Sequence, residues 1–387
     1  MGTFRDVSKS EPCPICGKTD WCTILRPTTE AYPGQELYVC RRIQQGNVYS
    51  NGQAFTYIKE LADGSSLYTL EKSGVNNARP NTPIHYVCKE RPKYPKLKEP
   101  EILDSIYRSF LQLLPVSSRH IRKLKNDGWP EDLIRKSLIR SISFKKSYDK
   151  DRDFYTDSIQ RVELTKKLFS MYGPLNGVPG FYQDSNGDWT FTGRSGMLIP
   201  VYDLRGNLYR LRLRLDRPDV DENGKERNKY KNFSSFHSAG DTGSNANTYR
   251  HGSRAGSCIG LYYSPGIDIS STCYITEGEK KAIFANYALK SPVISLPGTG
   301  TYKKMYTEYG GQNALTFLRD IGCATVVVAY DADKAFNVQV RRYEQKLVSL
   351  LRNEGFSVFT AEWNIGFGKG LDDVLSQGVL PLLQKPV

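Results

Sequence analysis

The sequence predicts a multidomain α/β protein, α+β over its whole length, and three observations predict it. Residues 258–387 alternate β and α signals, Cys13 to Cys88 holds short β-like runs between Asn, Gly, Ser and Asp, and a Pro- and Lys-rich stretch, KERPKYPKLKEP, separates the two. The expected divisions are a β module at 1–88, a linker at 89–100, a basic helical and antiparallel β segment at 101–257, and a last domain at 258–387 with a mostly parallel sheet.

At 387 residues the chain can bury a sizeable core and build two or three domains. No apolar run approaches the roughly eighteen residues of a membrane-spanning helix, which predicts a soluble protein with no membrane partner. The opening MGTFRDVSKSEPCP has no apolar signal core, so the expected compartment is the cytoplasm. The net charge of +13 is uneven: residues 1–257 carry 41 Lys+Arg against 29 Asp+Glu, leaving 13 against 12 for 258–387. Clustered cations gain by releasing counterions from a polyanion, so nucleic acid is the expected partner; simple solubility is the bland alternative.

In the first module, strands are expected at Leu37–Cys40, 55–58, 66–70 and 84–87. Cys13-Pro14-Ile15-Cys16 has the spacing of a zinc knuckle, and Cys22 and Cys40 follow it. A tetrahedral Zn²⁺ on Cys13, Cys16, Cys22 and Cys40 would supply folding energy that so small a module lacks. Without a second CxxC, Cys88 or His85 remains an alternative to Cys22 or Cys40. Cys258, Cys273 and Cys323 read as inert core thiols.

Beyond the linker, Ile102, Ile106, Phe110 and Leu113 or Leu114 mark one helix, SSRHIRKLKNDG a second ended by Gly128, and a third starts near Pro130. Gly196–Tyr202, the turn Asp203–Asn207 and Leu208–Leu215 read as a hairpin. Along its second strand Arg212 and Arg214 share one face while Leu211, Leu213 and Leu215 take the other, facing the core. With Lys229 they could meet template or nucleotide phosphates; a solvent-facing strand is the plain alternative. Residues 234–257, crowded with Ser, Gly, Asn and Thr, read as a flexible connection.

The last domain should run strand 273–276, helix 279–289, strand 292–296, helix 304–319, strand 324–330, helix 334–353, strand 356–361 and a short helix near 371–376. Acids follow three of these strands: Glu277 with Glu279, Asp331 with Asp333, and Asp372 with Asp373. In open α/β sheets the carboxyl ends of the strands form the ligand edge. Carboxylates converging there repel one another unless a hard divalent cation, Mg²⁺ or Mn²⁺, joins them, which points to phosphoryl or nucleotidyl transfer. Glu277, Asp331 and Asp333 are the candidate catalytic and metal residues, Glu277 also a general base; Asp373 is the further metal candidate, with Asp372 open beside it. The plain alternative is that each acid caps a helix. Ser295-Leu296-Pro297-Gly298-Thr299-Gly300 is a weak phosphate-loop signal.

Glu277-Gly278 after one strand and Asp331-Ala332-Asp333 after a later one resemble the TOPRIM family of primases, topoisomerases and nucleases. The resemblance implies a Rossmann-like domain whose carboxylates hold Mg²⁺ or Mn²⁺. Many of its primases carry another acid four positions after the glutamate, where this chain has Lys281. Lys280 and Lys281 could meet nucleotide phosphates, although a solvated helix face is the favoured reading for both.

Upstream, Gly196 to Pro200 with Asp203 and Gly206, Leu211-Arg212-Leu213-Arg214, Asn228-Lys229-Tyr230-Lys231-Asn232 and Gly260-Leu261-Tyr262 resemble, in order, the subdomain preceding TOPRIM in DnaG-like primases. With the zinc-ribbon-like module in front, the resemblance is to a DNA primase and covers most of the chain, least at 101–195. It implies RNA primer synthesis from NTPs on single-stranded DNA, with Arg212, Arg214, Lys229, Lys231, Asn232 and Lys280 on nucleic acid or nucleotide. The wording at 176–182 and 276–282 is closer to primases of plasmids, phages and integrated elements. No GxxxxGK[ST] occurs, so a separate helicase is the expected partner. The competing readings are a TOPRIM nuclease and a non-catalytic nucleic-acid-binding protein.

Overall fold

A computed structural model describes residues 3–26, 35–43, 46–61, 65–71, 96–142, 147–149, 154–156, 158–220, 222, 224, 226–235, 250–263, 271–308 and 311–386. The chain divides into two compact units, 1–94 with 237–249 and 95–236 with 250–387. Both the segment expected at 101–257 and the one at 258–387 fall mostly in the second unit, so they share one body.

The first unit is an antiparallel six-stranded sheet in the order Thr3–Asp6, Thr23–Arg26, Leu37–Cys40, Ser66–Leu70, Gln53–Glu60, Val48–Ser50. Three of the expected strands are here; the fourth, 84–87, lies outside the described residues, as does most of the linker. Phe55, Tyr68 and Ile24 pack with the cysteines in a core too small to fold such a module on apolar burial alone.

In the second unit, helix Pro100–Gln112 begins with proline at its first position, where a missing N–H costs nothing. Its buried stripe is Leu103, Ile106, Tyr107, Phe110 and Leu111, while Ile102, expected on that face, is exposed. The i, i+3, i+4, i+7 set starting at residue 103 contains more bulk than the one starting at 102, and that decides which face turns inward. Phe110 sits against Phe181, Phe191 and Phe233 at centroid separations of 5.0, 4.9 and 5.7 Å. Helix Ser118–Asn126 is capped by Ser117, which accepts from the His120 amide. The His120 ring, buried, bridges Ser141 and Asp216 at 2.7 Å each and so ties this helix to the adjoining sheet. Helix Ser158–Tyr172 had no reading in the sequence: Leu168 is buried but Phe169 and Met171 face outward, so its apolar residues make no single stripe.

The expected hairpin forms the centre of a four-stranded antiparallel sheet, ordered Tyr230–Asn232, Leu208–Leu215, Gly196–Tyr202, Arg140–Ile142. Its turn closes because the Asp203 carboxylate accepts from the amides of Arg205 and Asn207, both at 2.8 Å.

The last sheet has six strands in the order Gly260–Tyr262, Val293–Leu296, Thr272–Glu277, Thr325–Ala329, Ser357–Glu362, Leu382–Gln384. The four central strands are parallel and the two edges antiparallel, in keeping with the expected mostly parallel sheet. Two helices are shorter than the sequence suggested. The segment 304–319 splits into a 3₁₀ turn, Thr299–Tyr306, and helix Ala314–Asp320, because Gly311 adopts φ 83° and Asn313 caps a fresh start by accepting from the Thr316 amide. The segment 334–353 likewise divides at Asn337 into a 3₁₀ turn, Ala332–Ala335, and helix Val338–Asn353.

Helix Glu279–Leu289 positions the site. Ala282, Ile283, Phe284 and Ala285 share a core with Met197 and Ile199 of the antiparallel sheet and with Leu371 and Val374 of helix Leu371–Ser376. The two sheets of this unit therefore meet through this helix and also directly, where the Tyr262 hydroxyl donates to the Pro200 carbonyl at 2.9 Å. Among the described residues no helix is long and apolar enough to cross a membrane.

Truncating Phe110 to alanine removes the hub of the four-ring cluster and should cost about 3–5 kcal/mol of stability, measured by urea unfolding. A loss under about 1 kcal/mol would show that the cluster is not a packing centre.

Candidate active site and cysteine metal centre

Glu277 ends its strand, and Gly278 follows with φ 87°, a left-handed conformation that glycine adopts without the Cβ penalty. The Gly278 amide donates to the Leu296 carbonyl, and helix Glu279–Leu289 starts at the next residue. Asp331 lies two residues past the strand Thr325–Ala329, and the Ala332 amide donates to the Lys369 carbonyl, joining this turn to the one before helix Leu371–Ser376. Parallel pairing in register thus carries Glu277 and the Asp331/Asp333 turn to the carboxyl edge of the sheet.

Two lysines stand among these acids. Lys281, one helical turn beyond Glu277, donates to Asp331 Oδ1, and Lys369 Nζ lies 2.8 Å from Asp333 Oδ2 and 3.7 Å from Asp331 Oδ2. Burial disfavours the Lys281 charge, but Asp331, with Asp372 and Glu277, outweighs it and the Lys281 pKa is raised. Glu277 is held above the usual carboxylate range, first by burial and then by Asp331 and Asp333, with Lys281 and Lys369 opposing. Asp333 Oδ1 is buried without a hydrogen-bond partner. Asp331 makes no side-chain cap, so the plain helix-cap alternative does not account for it.

That alternative does describe Asp373. Its Oδ2 accepts from the Gly370 amide at 2.8 Å, at the start of helix Leu371–Ser376, so one oxygen of this metal candidate serves as a cap. Asp372 is buried against Lys280, 3.0 Å away.

Lys280 is 8% exposed, pairs with Asp372 and Asp127, and lies over the Trp129 ring. The solvated face read for Lys280 and Lys281 is therefore corrected: Lys280 is buried and Lys281 half-buried, and both ammonium groups find carboxylates. A nucleotide phosphate would have to compete with two carboxylates for Lys280.

Arg212 differs from expectation in the same way. The alternation along Leu208–Leu215 is as read, with leucines buried and arginines less so. Yet the arginine face meets helix Glu279–Leu289: Arg212 Nε lies 3.3 Å from Glu279 Oε1, and its Nη1 donates to Asn232 at 2.5 Å. Glu279, 1% exposed, was read from the sequence only as an acid beside Glu277 and given no role; burial raises its pKa and Arg212 opposes the shift. The second glutamate of TEGEKKA is the signal that could have found it. Lys229 and Lys231 remain at the surface, paired with Glu226 at 3.1 Å and Asp219 at 3.4 Å. Exposed pairs of that kind are weak enough to yield to a phosphate.

In the first unit, Cys13, Cys16, Cys22 and Cys40 bring their sulfurs within 4.8 Å of one another. Cys16 and Cys22 are 3.7 Å apart and Cys22 and Cys40 4.0 Å, bracketing the roughly 3.8 Å that a tetrahedral site with Zn–S near 2.3 Å requires. Gly17, with φ 69°, closes the first turn by donating to the Cys13 carbonyl, and the Ile43 amide donates to Cys40 Sγ. The donor set fits Zn²⁺. Cys22 and Cys40 take the remaining places, while His85 and Cys88 lie outside the described residues. Cys258, Cys273 and Cys323 are buried with raised pKa values, as inert thiols should be.

Two outcomes follow. Full-length protein should carry one zinc per chain by atomic absorption, and Cys16→Ser should lose it. Arg212→Ala should cost about 3–5 kcal/mol in chemical denaturation by leaving Glu279 buried and unpaired; unchanged stability with weaker nucleic-acid binding would return Arg212 to a phosphate contact.

A family model described as a domain of unknown function, DUF3854, matches residues 267–379, less than a third of the chain. No curated protein matches. Among solved structures, the zinc-binding and RNA polymerase domains of the Aquifex aeolicus primase are 15% identical with a TM-score of 0.45, over 74% of this chain and 63% of that one. The chain thus spans less than two thirds of that relative. The RNA polymerase domain of Mycobacterium tuberculosis primase DnaG is 13% identical over 72% of this chain and 82% of that one, TM-score 0.43. A DNA primase domain from Pseudomonas aeruginosa is 16% identical over 71% and 74%, TM-score 0.42.

Proposed function

We propose that this chain is a DNA primase that makes short RNA primers on single-stranded DNA, with residues 258–387 as a TOPRIM-type, Rossmann-like catalytic domain. The observation that carries the reading is the group of Glu277, Asp331 and Asp333 at the carboxyl edge of a parallel sheet. Among the described residues only the four cysteines bring three or more ligand atoms within 4.8 Å of one another, so these hard oxygen donors, with Asp333 Oδ1 buried and unpartnered, would suit Mg²⁺ or Mn²⁺ once substrate draws them together. When bound, such an ion polarises the reacting phosphate and offsets the charge of the departing pyrophosphate.

The step is attack by a ribose 3′-hydroxyl on the α-phosphorus of an incoming NTP. A new P–O bond forms, the bond to pyrophosphate breaks, and the hydroxyl proton leaves. Glu277, whose pKa burial raises, is suited to take that proton. Lys369, exposed at the rim beside Asp333, is suited to meet the triphosphate. Lys229, Lys231 and Arg214, on the antiparallel sheet, are the proposed template contacts, and the cysteine module with its zinc is a proposed further contact to template. A separate helicase, a mobile genetic element as source and a cytoplasmic setting complete the proposal.

Incubated with single-stranded DNA, NTPs and Mg²⁺ or Mn²⁺, the protein should yield short oligoribonucleotides, and Asp333→Asn should lower the yield on the order of a hundredfold or more. Cleavage of DNA without NTPs would assign the same carboxylates to a nuclease instead. Binding with neither synthesis nor cleavage under any divalent metal would leave a nucleic-acid-binding protein.

A further inference from the structure

We propose that the second unit carries a further ligand site, a cleft apart from the acidic edge that binds a free nucleoside polyphosphate. The cleft encloses about 670 Å³, within the roughly 300–1,000 Å³ of small-molecule sites. Its walls come from helix Pro100–Gln112, the turn after Gly196–Tyr202, helix Glu131–Lys136, the edge strand Gly260–Tyr262, the second half of helix Glu279–Leu289 and helix Ala314–Asp320. A recess shared by six elements suits a compact ligand better than a continuous strand. It is also separate from the carboxylates. Ile283, Asn286 and Tyr287 line it, and at about 1.5 Å per residue Tyr287 lies roughly 12 Å along the axis from Glu279, the first residue of the helix.

Two kinds of group meet in the cleft. Tyr202, Tyr262, Tyr263 and Tyr287 supply aromatic surface. Arg108, Lys136, Arg205 and Lys290 supply positive charge, against Asp132 as the one acid among the described lining residues. Ring and cation stand side by side: Lys290 Nζ is 4.2 Å from the Tyr287 ring centroid, and the Arg108 guanidinium is 5.8 Å from that of Tyr202. A nucleotide calls for that combination, with a π-face for its base and cations for its phosphates.

The two lysines are the cations left for a phosphate. Arg108 and Arg205 are paired with Asp104 and Glu101. Lys136 lies 3.8 Å from Asp132, beyond hydrogen-bond reach and 71% exposed, so that pair yields readily. Asp132 Oδ1 instead accepts from the Tyr287 hydroxyl at 3.1 Å. Lys290 makes no ion pair among the described residues. It ends its helix with φ 53°, the left-handed conformation that glycine most often takes there. A Cβ is disfavoured in that conformation, and what lysine adds over glycine is an ammonium group at the rim of the cleft.

The test is photolabelling of the full-length, zinc-loaded protein with an azido derivative of ATP, the labelled peptides being mapped by mass spectrometry. Label should fall on the segments that hold Tyr263 or Tyr287, and ATP should displace it while a single-stranded DNA oligomer does not. Lys290→Glu and Lys136→Glu, both on exposed side chains, should each weaken this labelling by about tenfold or more. Asp333→Asn, at the other site, should leave it as it is. No label in the cleft, displacement by the DNA oligomer, or labelling indifferent to both charge reversals would overturn the proposal. Primer synthesis is measured separately: cleft labelling without primers leaves this inference standing and removes the primase reading, whereas primers without cleft labelling do the reverse.

Discussion

Like charges converging on one sheet edge are the constraint around which the second unit is arranged. Glu277, Asp331 and Asp333 come together because the strands before them are parallel and in register. That convergence costs electrostatic energy, most of all for Glu277, whose burial already disfavours its charge. Lys281 and Lys369 relieve it. The relief is local, and it leaves Asp333 Oδ1 as an anionic oxygen without a partner.

The same principle extends along helix Glu279–Leu289. The first turn of this helix is covered, so each charge it carries there meets an opposite one. Glu279 meets Arg212, Lys280 meets Asp372 and Asp127, and Lys281 meets Asp331. Three successive charged residues thereby join the antiparallel sheet, the first helical layer and the acidic edge. Arg212 couples the basic strand to the helix that begins two residues after Glu277.

The first unit solves a different problem with a different chemistry. Its sheet is thin and its core small, and four sulfurs stand where a larger domain would put apolar side chains. A tetrahedral ion on Cys13, Cys16, Cys22 and Cys40 would tie the knuckle at one end of the module to the strand Leu37–Cys40.

Helix Ser158–Tyr172 and the strands Thr3–Asp6, Thr23–Arg26 and Val48–Ser50 were not readable from the sequence alone, whereas the strands and helices of the last domain, its parallel order, the central hairpin, the cysteine group and the three acids after their strands were. Each rests on a local signal: alternation, apolar period, CxxC spacing, or an acid directly after an apolar run. Tertiary structure decided what those signals do not carry. It turned Leu103 rather than Ile102 inward, broke two helices at Gly311 and Asn337, made Asp373 a cap, and buried Lys280, Lys281, Arg212 and Glu279 in paired contacts. A charged residue at helical or strand spacing reads as solvated because its partner lies far along the chain, 50 residues away for Lys281 and 92 for Lys280. Only packing brings that partner into contact.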